Sequence, residues 1–344
     1  SSFCDSEEGV DFLRKRMEQA SLGRIVPVGT ITKGREGREL APMAELRTAG
    51  CPAVSDDGSG VADAALMRHA LEYARMLGLL VISHCEDSAL AGEGVMNEGY
   101  WSTALGMKPL PAAAETVMVD RDIRLAEMTG AALHIAHVSA AASVEAIRNA
   151  KNRGVRVTAE ATPHHFTLTE AELAGYDTRF KVNPPLRTEE DRKSVIEGLK
   201  DGTIDVIATD HAPHPPQEKE KEFDHAPFGM IGLETALSLA VSELGDKNGF
   251  SWGDLIELLA LRPSSILGLE RGTLRKGAEA DIAVIDPGKE WVVSAGTIST
   301  RSKNSPFTGR TMKASVRDVL VGGRIVMEEG AITADNAQVE GKAG

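Results

Sequence analysis

Four acidic or imidazole side chains stand where an apolar run gives way to polar residues. Asp57 follows Pro52-Ala-Val-Ser, His84 follows Leu79-Leu-Val-Ile-Ser, His137 follows Ala132-Leu-His-Ile-Ala, and Asp210 follows Val206-Ile-Ala-Thr. Short apolar runs bounded by Gly or Pro read as strands buried on both faces. In parallel α/β folds, the end where such a strand gives way to a loop is where chemistry is assembled. Two imidazoles and two carboxylates suit Zn2+, or a similar divalent ion that must keep positions open for water. One stretch, Asp205 to His214, concentrates the signal: Asp-Val-Ile-Ala-Thr-Asp-His-Ala-Pro-His.

Strand alternation supplies a common direction. Leu133, Ile135 and His137 fall on one face while His134 and Ala136 take the other; Val206, Ala208 and Asp210 share a face, as do Ile82 and His84. In a barrel, side chains of that parity converge on the axis at the C-terminal rim. This makes His134 an outward-facing scaffold residue and Cys85 a packed thiol. Asp56 and Asp57 could exchange roles on sequence alone. His164 and His165 lie near the rim, where a histidine is more often a hydrogen-bonded support than a ligand. The runs Glu7-Glu8 and Gln217 to Glu222 read as solvated surface.

The elements that must position these groups alternate. Asp5 to Glu8 opens a helix carrying Val10, Leu13 and Met17 at helical spacing. Arg24 to Ile31 is the first strand expected, although Pro27 limits its pairing. A helix over 42–48, a strand over 52–58, a helix over 62–77 ending at Gly78, and a strand from Leu79 follow. A Gly-rich loop with Tyr100 and Trp101 leads to a helix over 115–128, a strand from Ala132, a helix over 143–152 and a strand from Val155. Thr188 with Asp191 resembles a capping box for a helix running to Lys200, before the Asp205 strand. Six strands alternating with helices predict a parallel, closed sheet, whereas a (β/α)8 barrel needs eight. Helices over 233–244 and 252–261 then precede strands over 280–286 and 316–327, the latter with a hairpin signal at Gly322-Gly323. The expected division is a barrel over 1–270, a small β-sandwich segment over 271–335 and a tail over 336–344.

The chain has 344 residues, 42% of them hydrophobic, and a formal net charge of -13. That balance argues against nucleic acid or an anionic membrane as the main partner. No apolar run approaches the roughly 20 residues that span a bilayer, and Cys4, Cys51 and Cys85 show neither disulfide nor zinc-finger spacing. A cytoplasmic protein with reduced thiols is the expectation.

Six ordered motifs carry a resemblance: Asp-Asp-Gly (56–58), His-Cys-Glu-Asp (84–87), His-Val-Ser (137–139), Asn-Pro-Pro-Leu-Arg (183–187), Ala-Thr-Asp-His-Ala-Pro-His (208–214) and Ala-Pro-Phe-Gly (226–229). Together they resemble bacterial dihydroorotases of the longer, class I type, in the amidohydrolase superfamily. The resemblance implies a TIM-type metal-dependent hydrolase barrel with a small β-sandwich, interconverting N-carbamoyl-L-aspartate and dihydroorotate in pyrimidine synthesis. It implies His84 and His137 as ligands of one zinc of a pair, Asp57 as the carboxylate bridging two zincs, and Asp210 as a metal-bound general base. Asn183, His214 and the loop Ala226, Pro227, Phe228 and Gly229 match substrate-binding positions. A homodimer, with aspartate transcarbamoylase as a candidate partner, is implied as well. A metal that lowers the pKa of water and polarises an amide carbonyl, served by one proton-moving carboxylate, is a coherent hydrolytic machine.

The sequence departs from the family at one point. The family's first strand carries His-x-His-x-Arg, supplying two ligands to the other zinc and an arginine for the substrate carboxylate; its second supplies a substrate asparagine. Neither motif occurs in this sequence. With six strands counted, the expectation is that the first two lie outside this sequence or on another chain. Two other readings compete: a hydantoinase or allantoinase, against which Asp57 in place of a lysine speaks, and a non-catalytic scaffold for aspartate transcarbamoylase, against which the intact Asp57, His84, His137 and Asp210 speak.

Overall fold

The computed structural model describes residues 4–20 and 22–333. Its strands in chain order are β1 (Ala53–Ser55), β2 (Leu80–Ser83), β3 (Met96–Asn97), β4 (Pro109–Leu110), β5 (Leu133–Ile135), β6 (Val157–Ala161), β7 (Val206–Ile207), β8 (Ile282–Val292), β9 (Thr311–Val321), β10 (Arg324–Glu328) and β11 (Ala331–Ile332). The helices that flank them are α1 (Glu7–Ala20), α2 (Met43–Thr48), α3 (Ala64–Leu77), α4 (Ser88–Ala91), α5 (Tyr100–Leu105), α6 (Ala113–Thr129), α7 (Ala141–Asn152), α8 (Pro163–Thr167), α9 (Glu189–Asp201) and α10 (Pro216–Lys219).

Local sequence explains the long helices. In α3, Met67, Ala70, Leu71 and Ala74 make one buried stripe. The Asp63 side chain caps it by accepting from the amides of Ala65 and Leu66, and Gly78 ends it at φ 66°, where a side chain would be strained. Removing the Asp63 cap costs about 1 kcal/mol. In α9 the capping box forms as expected, the Thr188 and Asp191 side chains each bonding the other's backbone amide.

The central sheet runs β1-β2-β5-β6-β7, every pair parallel. Register aligns Val81 with Leu133 and Val157, and Ser83 with Ile135 and Ala159. The apolar members of these rows share one core with Val119 and Ile123 of α6 and Val144 and Ile147 of α7, while Ser83 Oγ donates to Asp122 of α6. Burying Leu133 and Ile135 completely stabilises the fold by about 1.5–3 kcal/mol each. The row Ile82, His134, Thr158 therefore points to the opposite, inner face. This corrects the parity assignment: His134 is not outward-facing but buried, its Nδ1 2.8 Å from Thr158 Oγ1 and its Nε2 3.1 Å from Glu160.

The first expected strand is reduced to one residue. Gly29 bridges β1 in parallel, giving its amide to Ala53 and accepting from Ser55, but 24–31 forms no strand. Pro27 cannot donate, and the Ile31 and Thr32 amides turn away to the Asp56 carboxylate. The sheet thus has five strands rather than six. The expected loop around Tyr100 contains α5 and the short β3-β4 ladder. The expected helices over 233–244 and 252–261 are present but include wide π turns at Ala240–Asp246 and Glu257–Leu261. After them, β8 to β11 form a separate antiparallel sheet in the order β11-β10-β9-β8, with Gly322 and Gly323 at positive φ in the β9-β10 turn. The tail expected from Asn336 lies outside the described residues.

Candidate active site

Three of the four strand-end groups meet. Asp57, His84 and His137 present ligand atoms within 4.8 Å of one another. His84 Nδ1 is 2.8 Å from His137 Nε2, and each nitrogen is 3.3 Å from Asp57 Oδ1. Neighbouring ligands of a tetrahedral ion with bonds of 2.0–2.1 Å stand about 3.3 Å apart. The two separations from Asp57 match that spacing, and the 2.8 Å between the imidazole nitrogens would open by about 0.5 Å to admit such an ion. Both imidazoles are 5% exposed and Asp57 is 58% exposed, so the buried nitrogens sit beneath a solvent-facing carboxylate.

The backbone brings them there. His84 directly follows β2, on the inner face with Ile82. His137, two residues beyond β5, has φ 35°, which breaks strand alternation and carries its ring to the inner side. Asp57 follows β1 and its carbonyl accepts from Arg35 Nη1 at 2.6 Å. Asp56 plays a different part. Its buried carboxylate accepts from the Ile31 and Thr32 amides and the Thr32 hydroxyl. The structure thereby separates two aspartates that the sequence left interchangeable.

Electrostatics follow from the crowding. Burial works to raise the Asp57 pKa, but hydrogen bonds and charge from His137 and His84 outweigh it and hold the carboxyl far below its usual range. Burial works to lower His137, and Asp57 overrides it, with help from Asp210 and Glu160, raising the imidazole to about 9. His137 Nδ1 is buried without a hydrogen-bond partner among the described residues. Without an ion these groups hold a proton between them; a divalent cation would replace it.

Asp210 lies outside the 4.8 Å group yet feels the charges of His137, Asp57, Glu160 and His84. Burial, reinforced by Asp57 and Glu160 against the opposing pull of His137 and His84, raises its pKa. It too has a left-handed backbone, φ 47°. Asn183 gives Nδ2 to Glu86 at 2.8 Å and keeps a buried Oδ1 with no partner among the described residues. His214 donates Nε2–H to the Phe228 carbonyl at 2.8 Å, tying it to the loop Ala226, Pro227, Phe228 and Gly229. The rim histidines differ: His165 bonds Thr162 and the Pro184 carbonyl, whereas His164 is buried and its Nε2 has no partner among the described residues.

Several participants escaped sequence reasoning. Glu160 accepts from the His137 amide and from His134; its place in β6 at two-residue spacing from Thr158 was the available signal. Asn304 joins the Ala212 and Gly229 carbonyls and receives the His214 amide, and nothing near it in sequence announces this. The Gln217 to Glu222 run is not uniformly solvated, because Lys219 within it is buried.

Comparison with known proteins agrees with this architecture. The amidohydrolase family model matches residues 2–326. A dihydroorotase of Pelotomaculum thermopropionicum is 54% identical over 308 residues, covering 90% of this chain and 72% of that protein. A dihydroorotase of Acetivibrio thermocellus is 50% identical over 326 residues, covering 95% and 76%. Among solved structures, the L-hydantoinase (dihydropyrimidinase) of Arthrobacter aurescens superposes with a TM-score of 0.84 at 24% identity, covering 97% of this chain and 76% of that one. The D-hydantoinase of a Thermus species gives 0.82 at 23%, covering 95% and 75%, and these two likenesses speak for the fold alone. A parallel sheet flanked by helices, a carboxylate and two imidazoles at three strand ends, and half-identical relatives lead to one placement: the chain belongs to the amidohydrolase family, on the branch that holds the dihydroorotases.

Proposed function

We propose that this protein is a dihydroorotase, a metal-dependent cyclic amide hydrolase interconverting N-carbamoyl-L-aspartate and dihydroorotate in pyrimidine synthesis. The observation that carries the reading is the convergence of Asp57, His84 and His137 in a chain about half identical to dihydroorotases. Zinc is the ion we assign, on the strength of two imidazoles and one carboxylate whose ligand atoms converge within 4.8 Å.

Asp57, His84 and His137 would hold the ion, with Asp210 facing it. When bound, the ion supplies an acidified water and a polarised amide carbonyl. Asp210 takes the proton of the attacking water and returns it to the ring nitrogen as the C–N bond breaks; ring closure reverses the order. Its raised pKa, set by burial, suits a carboxylate that must both accept and release a proton. The unpartnered Asn183 Oδ1 accepts a ring N–H, and His214 with the 226–229 loop seats the ring and its carboxylate.

The test is zinc content per chain together with conversion of dihydroorotate, hydantoin and allantoin by the metal-loaded protein. Bound zinc with dihydroorotate opened in preference to the other rings is expected. Preference for hydantoin or allantoin, or no metal uptake, overturns the reading.

A further inference from the structure

We infer that Lys219, backed by Lys181, is a positioning residue that holds the Ala226–Gly229 strip in its substrate-receiving form. The inference rests on the dihydroorotase reading, in which that strip seats the ring.

Lys219 closes α10 and is 6% exposed. Its Nζ donates to three main-chain carbonyls: Pro227 at 2.8 Å, Gly229 at 3.0 Å and Lys181 at 3.4 Å. An ammonium has three N–H groups, so this set uses them all. The Phe228 carbonyl, between the first two acceptors, goes instead to His214 Nε2. The strip is therefore gripped from two sides, Lys219 taking Pro227 and Gly229 and His214 taking Phe228, with Asn304 Nδ2 sharing the Gly229 carbonyl at 3.2 Å. If Lys219 lets go, the acceptor that orients the His214 ring loses its support on the Pro227 side.

Lys181 extends the grip. It is 2% exposed, and its Nζ donates to the Phe223 and Asp224 carbonyls at 2.7 and 3.1 Å. Its ammonium also lies 4.7 Å from the centre of the Phe228 ring. The Lys181 carbonyl accepts the Gly229 amide at 2.9 Å. The two lysines thus fix both flanks of 223–229.

Two neighbouring buried cations bonded to carbonyls are a costly way to brace a loop. Burial lowers both pKa values, that of Lys219 to about 8, where the charge of Lys181 adds to the effect and Asp177 opposes it. An apolar plug would hold a loop whose exact carbonyl directions did not matter. Gly229 shows how closely the strip is seated: at φ 124°, a Cβ there would stand 2.6 Å from the Ala212 Cβ and 3.0 Å from His214 Nε2.

The experiment compares the metal-loaded parent with Lys219→Met, which keeps length but removes the donors. Steady-state kinetics on dihydroorotate, zinc content and amide hydrogen exchange over 222–231 are measured together. The expected result is KM raised about ten-fold with kcat changed less than about three-fold, zinc unchanged, and exchange at 222–231 faster by about ten-fold. Should Lys219→Met fail to fold, Lys219→Gln, which retains two N–H donors, decides by the same shifts in smaller degree. Unchanged exchange overturns the clamp; faster exchange with unchanged KM overturns its positioning role. A parent that opens no dihydroorotate overturns the dihydroorotase reading instead, and is recognised because no variant is involved.

Discussion

Nδ1 of His84 lies 2.8 Å from Nε2 of His137, across 53 residues and two strands, and both nitrogens are 3.3 Å from the same oxygen of Asp57. Three polar atoms this close either share protons or share an ion, and the consequences of that choice can be measured.

Protonation and metal binding compete at His137. Its pKa of about 9 lies above the ordinary value near 6.5. Without metal, this proton stabilises the fold fully below about pH 6.5, and the gain is lost as pH rises through 9. Denaturant midpoints of the metal-free protein should therefore fall across that window. Metal affinity should rise over the same window, with close to one proton released per ion near pH 7.5, read by calorimetry in buffers of different ionisation enthalpy.

The adjacent aspartates should separate cleanly. Asp56→Ala leaves the Ile31 and Thr32 amides without their acceptor and should cost about 2–3 kcal/mol of stability, with zinc retained. Asp57→Asn should instead lose zinc, and in the metal-free protein it should remove the pH-dependent part of the stability that His137 carries. Equal zinc loss in the two variants would show that both carboxylates bind the ion.

Asp210→Asn should reduce turnover at least about a hundred-fold by removing the proton carrier, while far-UV circular dichroism and denaturation stay close to the parent. Near-normal turnover would remove Asp210 from this role.

Behind the His137 loop, Arg187 and Glu115 form a buried pair, 2% and 5% exposed, with Ser139 bonded to both. Arg187→Met strands the Glu115 charge and should cost about 3–5 kcal/mol, whereas Arg187→Met with Glu115→Gln should recover part of the loss. A single variant as stable as the parent would mean that Glu115 is neutral in the fold.

Much of this was legible in the sequence where local chemistry decides the outcome. Asp63 and Gly78 mark the ends of α3, Thr188 and Asp191 start α9, and Gly322-Gly323 turns β9 into β10. Strand parity failed at His137 because alternation assumes an extended backbone, and the left-handed residue past β5 shifts the phase; the same slip misplaced His134. The Arg24–Ile31 strand failed because a distant carboxylate, Asp56, outcompeted the sheet for two amides. Lys219 was hidden because burial of one lysine within a charged run depends on carbonyls from three separate positions. The strand-end groups themselves could be found from sequence, since an Asp or His closing an apolar run is a local pattern.

His137 and Asp210 both hold φ values, 35° and 47°, that belong to glycine more than to a branched side chain, and each such placement costs of order 1–3 kcal/mol. Glycine at either position would relax the main chain and erase the chemistry in the same stroke. A library selected for heat resistance alone would therefore tend to drain this centre of its reactive groups, and one selected for turnover would keep them. Where those two selections disagree most sharply marks the functional residues.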